Sequence, residues 1–193
     1  MGLFCFFRTK SFIFPLYTES MTIYEFEGRE PEVDDSAYVS ESAEVIGDVS
    51  IGKKCFIGPG AKIKGDYGTV IIGDNSNVQE NCVIHARPEE KTEIGDWVTI
   101  GHGAIIHGPT IKDYAVIGMG AIVSDYAVVG EWAAVGEGAV VPNNKNIPDE
   151  KVAVGVPAKI VKEIDDDYKE TWTGMKEKYA ALPEKYKKGL IPK

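Results

Sequence analysis

The chain lacks three features that would have indicated common classes of protein: paired cysteines, an excess of basic residues and a long apolar run. Its three cysteines, Cys5, Cys55 and Cys82, form no C-x-x-C pair and leave one over, so they are not the disulfide framework of a secreted domain. This usage predicts a reducing compartment, the cytoplasm. Twenty-one Lys and Arg against thirty Asp and Glu give a net charge of -9, so neither nucleic acid nor a membrane is expected as a partner.

The first twenty residues differ from the rest of the sequence. Residues 1–20 are rich in phenylalanine but are broken by Arg8, Lys10 and Pro15, too short and interrupted to span a bilayer and a poor match to a signal peptide. They are treated as an extension whose status the sequence leaves open, since Met21 could also be the start. The predicted domains are this extension, a repeat domain over 21–160, and a helix with a tail over 161–193.

A six-residue repeat dominates the centre of the chain. Aliphatic residues recur six apart in four runs: Val39, Val45, Ile51, Ile57, Ile63; Ile72, Val78, Ile84; Ile94, Ile100, Ile106; Ile111, Ile117, Val123, Val129, Val135, Val141. A compact residue lies two positions earlier in most repeats, and Cys55 and Cys82 occupy that place. Helical periodicity cannot produce this spacing. Hexapeptides of this kind predict a parallel β-helix in which three short strands form one triangular coil.

The repeat predicts which side chains lie inside. The aliphatic residues and the compact residues should point inward, so Cys55 and Cys82 are interpreted as core packing. Glycine follows the aliphatic residue in many repeats and is expected to help the chain turn: Gly52, Gly58, Gly73, Gly95, Gly101, Gly118, Gly130, Gly136. Seventeen repeats at three to a coil predict between five and six coils.

After Pro157 the apolar spacing changes to three and four residues, the period of an amphipathic helix. The stripe runs from Ile164 to Tyr186, and a helix is expected from about 165 to about 181, limited by Gly174 and Pro183, with a looser tail. Its aromatic side is expected to pack against the coil or a neighbouring subunit.

The three histidines have an informative register. His85 and His107 each follow an inward isoleucine, and three repeats, one full coil, separate them. They should therefore project from the same face, one above the other, close enough to share a metal, because two zinc-bound nitrogens lie roughly 3.3 Å apart. His102 lies on a different side of the triangle. Side-by-side packing of three chains would bring His102 of a neighbour to the pair and give an open, catalytic three-histidine site.

These motifs identify a family resemblance. The chain is similar to the γ-class carbonic anhydrases over about 25–160, on three segments: Gly73-Asp74-Asn75-Ser76-Asn77-Val78-Gln79, Val83-Ile84-His85, and Ile100-Gly101-His102-Gly103-Ala104-Ile105-Ile106-His107-Gly108-Pro109. The resemblance implies an all-β, left-handed parallel β-helix with a C-terminal α-helix, assembled as a homotrimer. It also implies Zn2+, or Fe2+ or Co2+, held by His85, His102 and His107 between subunits.

Four further residues match the family to different degrees. Asp66 matches an interface aspartate, whereas Lys64 stands where an arginine is usual, so Lys64 is interpreted either as one half of a surface ion pair or as a bicarbonate-binding residue. Gln79 matches a glutamine near the metal that would orient water. Asn77 is either a hydrogen-bonding neighbour or a corner residue. The long acidic loop that relays protons in the best-studied type is replaced by a short one, where Glu89 or Glu90 is either a relay or a solvated charge.

The implied activity is reversible hydration of carbon dioxide to bicarbonate, with a metal lowering the pKa of water. Three alternatives stay open. The short loop and the aromatic helix resemble relatives encoded with phenylacetate and carnitine metabolism, for which acyl-CoA thioester hydrolysis at the same metal is a second hypothesis. A hexapeptide acyltransferase would need one histidine and no metal. A noncatalytic trimeric metal-binding scaffold is the last alternative.

Overall fold

The computed structural model describes residues 22–191, which form a parallel β-solenoid of about 7 turns followed by helix. The extension over 1–20 lies outside the described residues. The first ten strands are β1 (Ile23–Tyr24), β2 (Glu32–Val33), β3 (Tyr38–Val39), β4 (Glu44–Ile51), β5 (Phe56–Ile57), β6 (Lys62–Ile72), β7 (Asn77–Val78), β8 (Val83–His85), β9 (Lys91–Ile94) and β10 (Thr99–Ile100). The next ten are β11 (Ile105–His107), β12 (Thr110–Ile111), β13 (Val116–Ile117), β14 (Ile122–Val123), β15 (Val128–Val129), β16 (Ala134–Val135), β17 (Val140–Val141), β18 (Asn146–Ile147), β19 (Lys151–Val154) and β20 (Lys159–Glu163).

Successive coils stack through parallel pairing. One face follows the order β17-β14-β11-β8-β6 and another follows β19-β16-β13-β10-β7-β5-β3. The predicted inward aliphatic residues are buried with one exception, Val39, which is partly buried, and the compact residues before them are buried too, forming one continuous core. The predicted parallel β-helix and its interior are therefore confirmed.

The predicted number of coils was too small. The six-residue spacing continues through Ile147 and Ala153, both fully buried, and β1 and β2 pair with β4 at the other end. Val33, six residues before Val39, and Ile147, six after Val141, continue the aliphatic spacing beyond the counted runs, and alanine takes the inward place in the last repeat. The solenoid therefore extends at both ends beyond the seventeen most regular repeats.

The glycines after the inward aliphatic residues do not serve the role predicted for them. None has a positive φ, and many corner positions are instead occupied by larger residues, such as Trp97 and Trp132, each with a φ of 56°. At Gly101 an ideal Cβ would lie 2.8 Å from the carbonyl oxygen of Ile117, and at Gly118 it would lie 2.5 Å from the amide nitrogen of Glu137. Glycine is required there because the next coil passes so close.

Two helices follow the solenoid. Helix α1 (Asp166–Ala180) begins after Asp165, whose side chain accepts a hydrogen bond from the Tyr168 amide at 2.9 Å, and α2 (Leu182–Gly189) follows at once. The predicted helix from about 165 to about 181 is close to α1. The looser tail predicted after it was wrong, because α2 follows, and Gly174 does not limit α1 but lies within it. An interior glycine costs only about 1 kcal/mol, which packing can offset, and proline is tolerated in a first helical turn. No helix in the described part of the chain is both long and apolar enough to cross a membrane.

Helix α1 is fastened to the solenoid by an unusual lysine. Tyr168 and Trp172 pack against the cluster of Val116, Ala134 and Ile164. Lys176, which is only 1% exposed, donates hydrogen bonds to the carbonyl oxygens of Trp97 at 2.6 Å and Ala115 at 3.2 Å. Burial lowers the pKa of Lys176 to about 7. The sequence pattern gave no sign of this, because a lysine beside an apolar stripe is normally solvated.

The Lys176 anchor predicts a pH-dependent stability. An unfolded lysine has a pKa of about 10.4, so from about pH 7 upward the unfolded chain binds a proton that the folded chain has lost, and unfolding free energy rises with pH. Relative to Lys176→Met, the unaltered protein should therefore become more stable between pH 7 and pH 9 in denaturant titrations. The exposed Lys178→Met is the matched control. A constant difference between the unaltered protein and Lys176→Met would contradict the prediction.

Candidate metal centre

His85 and His107 meet as the repeat predicts. Strands β6, β8 and β11 place Lys64, His85 and His107 in register on adjacent coils. The facing atoms, Nδ1 of His85 and Nε2 of His107, lie 3.2 Å apart. The two side chains are 23% and 37% exposed, so this gap opens to the surface.

An aspartate lies behind each imidazole. Nε2 of His85 lies 2.8 Å from Oδ1 of Asp66, and Nδ1 of His107 lies 2.6 Å from Oδ1 of Asp125. An ionised carboxylate only accepts hydrogen bonds, so these outer ring nitrogens are the donors. In neutral imidazoles the inner nitrogens then carry lone pairs, and both lone pairs face the same gap.

A cation holds each aspartate. Nζ of Lys64 lies 2.8 Å from Oδ2 of Asp66, and a guanidinium nitrogen of Arg87 lies 2.7 Å from Oδ2 of Asp125. Burial opposes ionisation of Asp66, but hydrogen bonds from Lys64 and His85 lower its pKa overall. Arg87, and then His107, hold the pKa of Asp125 below its usual value against burial. Lys64 thus pairs with Asp66 within one chain.

The paired imidazoles have the geometry of two metal ligands. Nitrogens bound to one tetrahedral zinc at about 2.0–2.1 Å lie roughly 3.3 Å apart, close to the 3.2 Å between the inner nitrogens. A carboxylate that accepts from the outer nitrogen is the usual support for a metal-binding histidine. The residues present therefore fit a divalent metal, with these two histidines as donors.

His102 lies apart from the pair. In the corner after β10, its Nδ1 lies 2.5 Å from Oε2 of Glu80, an oxygen that is buried and makes no aligned hydrogen bond, and its side chain is 47% exposed. Within residues 22–191 of one chain, no three His, Cys, Asp or Glu side chains are grouped to hold a metal ion. The third donor predicted from a neighbouring chain stays a prediction.

Gln79 and Asn77 form a buried polar pair on the His102 side. Oε1 of Gln79 accepts from the His102 amide at 3.3 Å, and Nε2 of Gln79 donates to Asn77 at 3.1 Å. Asn77 in turn donates to Oγ1 of Thr99 at 3.0 Å. Asn77 is thus a hydrogen-bonding residue that fixes Gln79. Glu89 is exposed in its loop, and a relay role for it or Glu90 stays a prediction.

A largely apolar groove of about 380 Å3 runs between the solenoid and α1. His102 and Gln79 contribute to its wall, together with Met119 from the solenoid and Trp172 and Met175 from the helix. Burial raises the pKa of Tyr179, another wall residue, Glu80 adds to this rise, and a hydrogen bond to Gln79 opposes it. Helix α1 therefore borders the candidate site.

Sequence reasoning missed Asp125, Arg87 and Glu80. Asp125 lies just beyond β14, one coil above His107, and the count that placed Lys64 below His85 could have placed it near His107. Arg87 lies in the loop two residues after His85, where the repeat spacing does not predict which way a side chain points. Glu80 follows Gln79 and was not considered.

The stacked six-residue repeats define the chain as a hexapeptide-repeat protein. The family model for the hexapeptide repeat of succinyl-transferase matches residues 48–86 and 91–125. Carnitine operon protein CaiE of Escherichia coli O157:H7 is 38% identical over 147 residues, which are 76% of this chain and 75% of CaiE. The chain belongs to the hexapeptide-repeat family that includes CaiE.

Two solved structures are similar over nearly their whole length. A Bacillus cereus protein provisionally described as an acetyltransferase has a TM-score of 0.84 and 35% identity, covering 86% of this chain and 96% of that chain. A hexapeptide transferase family protein from Anaplasma phagocytophilum has a TM-score of 0.82 and 33% identity, covering 86% and 98%. Both support the same fold for this chain.

The described cysteines are predicted to be unreactive. Cys55 and Cys82 are fully buried, and burial raises their pKa values to about 12 and about 11, so almost no thiolate forms at pH 8. In a Cys5→Ser variant, which removes the cysteine outside the described residues, a chromogenic disulfide reagent should react only as fast as the protein unfolds. Both thiols should react at once in denaturant. Rapid reaction of the folded variant would refute the assignment of both to the core.

Proposed function

We propose that this protein is a metal-dependent carbonic anhydrase of the γ class, which reversibly hydrates carbon dioxide to bicarbonate. The supporting observation is the 3.2 Å separation of the inner nitrogens of His85 and His107, with a carboxylate behind each outer nitrogen. Three imidazole donors suit Zn2+, and also Fe2+ or Co2+. A divalent metal held there supplies a Lewis acid that lowers the pKa of water to about 7, giving a nucleophile for carbon dioxide near neutral pH.

A homotrimer is part of the proposal, because residues 22–191 of one chain bring just two imidazole donors together. The strands that carry the pair also present an outward apolar row, Val83, Ile105, Ile122 and Val140, aligned across β8, β11, β14 and β17. Val83 and Ile105 are 39% and 42% exposed. Contact with a second copy would bury this row and bring His102 of that copy to the pair as third donor.

The remaining residues receive roles by position. Gln79, fixed by Asn77, would hydrogen-bond the substrate or the attacking water on the His102 side. Asp66 holds the outer nitrogen of His85. Lys64 is 40% exposed beside the gap and would attract bicarbonate while it neutralises Asp66.

Carbon dioxide hydration tests the proposal. Protein purified without air and loaded with zinc or ferrous iron should hydrate carbon dioxide in stopped-flow assays. His102→Ala should lose stoichiometric metal and reduce hydration by more than the ~100-fold that loss of an outer partner costs, because it removes a ligand. Stoichiometric metal without hydration would reject the carbonic anhydrase assignment.

Mixed trimers test the shared site separately. His85→Ala and His102→Ala chains, each defective alone, should regain part of the metal content when refolded together, because one interface then combines intact ligands from different chains. Size-exclusion chromatography and mass spectrometry confirm mixing. Mixed trimers that bind no metal would exclude a site built from two subunits.

Thioester hydrolysis is a second candidate, favoured by the groove. The groove beside His102 has a volume of about 380 Å3, within the usual range for small-molecule pockets and far larger than carbon dioxide requires. Its apolar wall from Met119, Trp172 and Met175 suits an acyl or aryl group. The same metal chemistry would then act on a thioester carbonyl.

A charge in the groove separates the two candidates. Met119 is 53% exposed and lines the groove, so Met119→Glu should reduce kcat/KM for an acyl-CoA thioester about tenfold, equivalent to about 1.4 kcal/mol, without changing carbon dioxide hydration. Val161→Glu is the control, because Val161 is 58% exposed and lies outside the groove. Absence of thioester hydrolysis in the unaltered, metal-loaded protein would remove this candidate.

Acyl transfer, named in the descriptions of the similar structures, has weaker support. A transferase needs one histidine with a free ring nitrogen, and His102 beside Glu80 could act as such a base. It gives no role to the paired histidines and their aspartates. Acyltransferase activity should persist after a chelator removes divalent metal, whereas carbon dioxide hydration and thioester hydrolysis should be lost.

A further inference from the structure

The paired histidines are supported from both sides, and only one of the supports follows from the family resemblance. Lys64, Asp66 and His85 form the half that includes the family-matched aspartate. Arg87, Asp125 and His107 form a second half with the same chemical order of cation, carboxylate and imidazole. The resemblance assigns no role to Arg87 or Asp125.

The second half is built into the fold rather than resting on the surface. The side chain of Asp125 is only 8% exposed, and its two oxygens have separate partners, Oδ1 with His107 and Oδ2 with Arg87. Gly108, with a φ of 71°, makes room for this contact, because an ideal Cβ there would lie 2.6 Å from Oδ1 of Asp125. The aspartate therefore has one orientation toward His107.

The backbone around the pair is fastened as well. Thr92 donates from Oγ1 to the carbonyl oxygen of His85 at 2.6 Å and accepts from the Gly108 amide at 2.9 Å. The carbonyl of Gly108 accepts from the Tyr126 amide at 2.9 Å, next to Asp125. These contacts tie the end of β8, strand β9, the corner after β11 and the corner after β14 together.

We infer that Asp125, held by Arg87, is a positioning residue that fixes His107 with Nε2 presented to a metal. A carboxylate on Nδ1 determines which ring nitrogen carries the proton and which way the ring faces. Without this carboxylate, the ring proton of His107 can lie on Nε2 instead of Nδ1, or the ring can turn away. The two histidines then no longer offer two lone pairs to one gap. Arg87 acts one step further out, by keeping Oδ1 of Asp125 directed at the ring. This inference rests on the metal site of the proposed function.

Zinc affinity, measured by competition with a chromophoric chelator, tests the inference independently of activity. Asp125→Ala should weaken zinc binding about 10- to 100-fold, the usual cost of losing an outer partner. Asp125→Asn, which keeps an oxygen that can accept from Nδ1, should lose less. Arg87→Ala should lose less than Asp125→Ala, and the double variant should be no weaker than Asp125→Ala. Asp149→Asn is the control, an aspartate of another corner whose Oδ1 accepts from the Glu131 amide.

A second readout separates positioning from general stability. The visible spectrum of the cobalt-loaded protein reports ligand geometry, so it should change in Asp125→Ala and stay unchanged in Asp149→Asn, while metal-free melting temperatures show the fold cost of each. Zinc affinity of Asp125→Ala within twofold of the unaltered protein, with an unchanged cobalt spectrum, would overturn the inference. Weakened zinc binding in a protein that never hydrates carbon dioxide would support it and reject the proposed activity instead.

Discussion

The parallel register between coils is the constraint on which the candidate site depends. Ile63, Ile84 and Ile106 stack inside the solenoid, and this alone places Lys64, His85 and His107 in one outward row. A slip of one residue would turn the row toward the core, where charged and imidazole side chains have no partners. The loop after His85 leaves the coil and returns in register at β9, where Lys91 pairs with Thr69. The length of the loop between β8 and β9 is therefore restricted by the strand pairing at both of its ends.

The charged side chains around the histidine pair balance each other. Each aspartate lies beside a cation, so the four charged side chains around the pair sum to zero, and the gap between the imidazoles is left to neutral nitrogen donors. A carboxylate that accepts from the outer ring nitrogen leaves the inner nitrogen as the lone-pair donor and does not compete for the gap. Asp66 and Asp125 come from coils on opposite sides of the pair, so both imidazoles are braced against rotation by the same stacking that aligns them.

Periodicity made the interior and the histidine pair predictable, because a strand period of two and three repeats per coil fix both direction and height. Spacing places Asp125 one coil above His107 but does not predict whether its carboxylate contacts the ring. Asp125 reaches His107 only because Gly108 has a φ of 71° and leaves room for its carboxylate, and Arg87 depends on the path of a loop. Glycines were misjudged for the related reason that the close approach of the next coil is a property of the stack and not of the repeat.

Helix α1 borders the candidate site and also packs against the solenoid. Lys176 anchors it to the carbonyl oxygens of Trp97 and Ala115. Trp97 lies just before β10, and His102 lies just after it. This fixed position sets Trp172 and Tyr179 into the wall of the groove beside His102 and Gln79. If His102 is the third metal donor, as proposed, the wall of the groove beside it would limit which carbonyl compounds approach the metal. Under that proposal, substrate choice would depend on where the helix docks, a position that Lys176 helps to fix together with the packing of Tyr168 and Trp172.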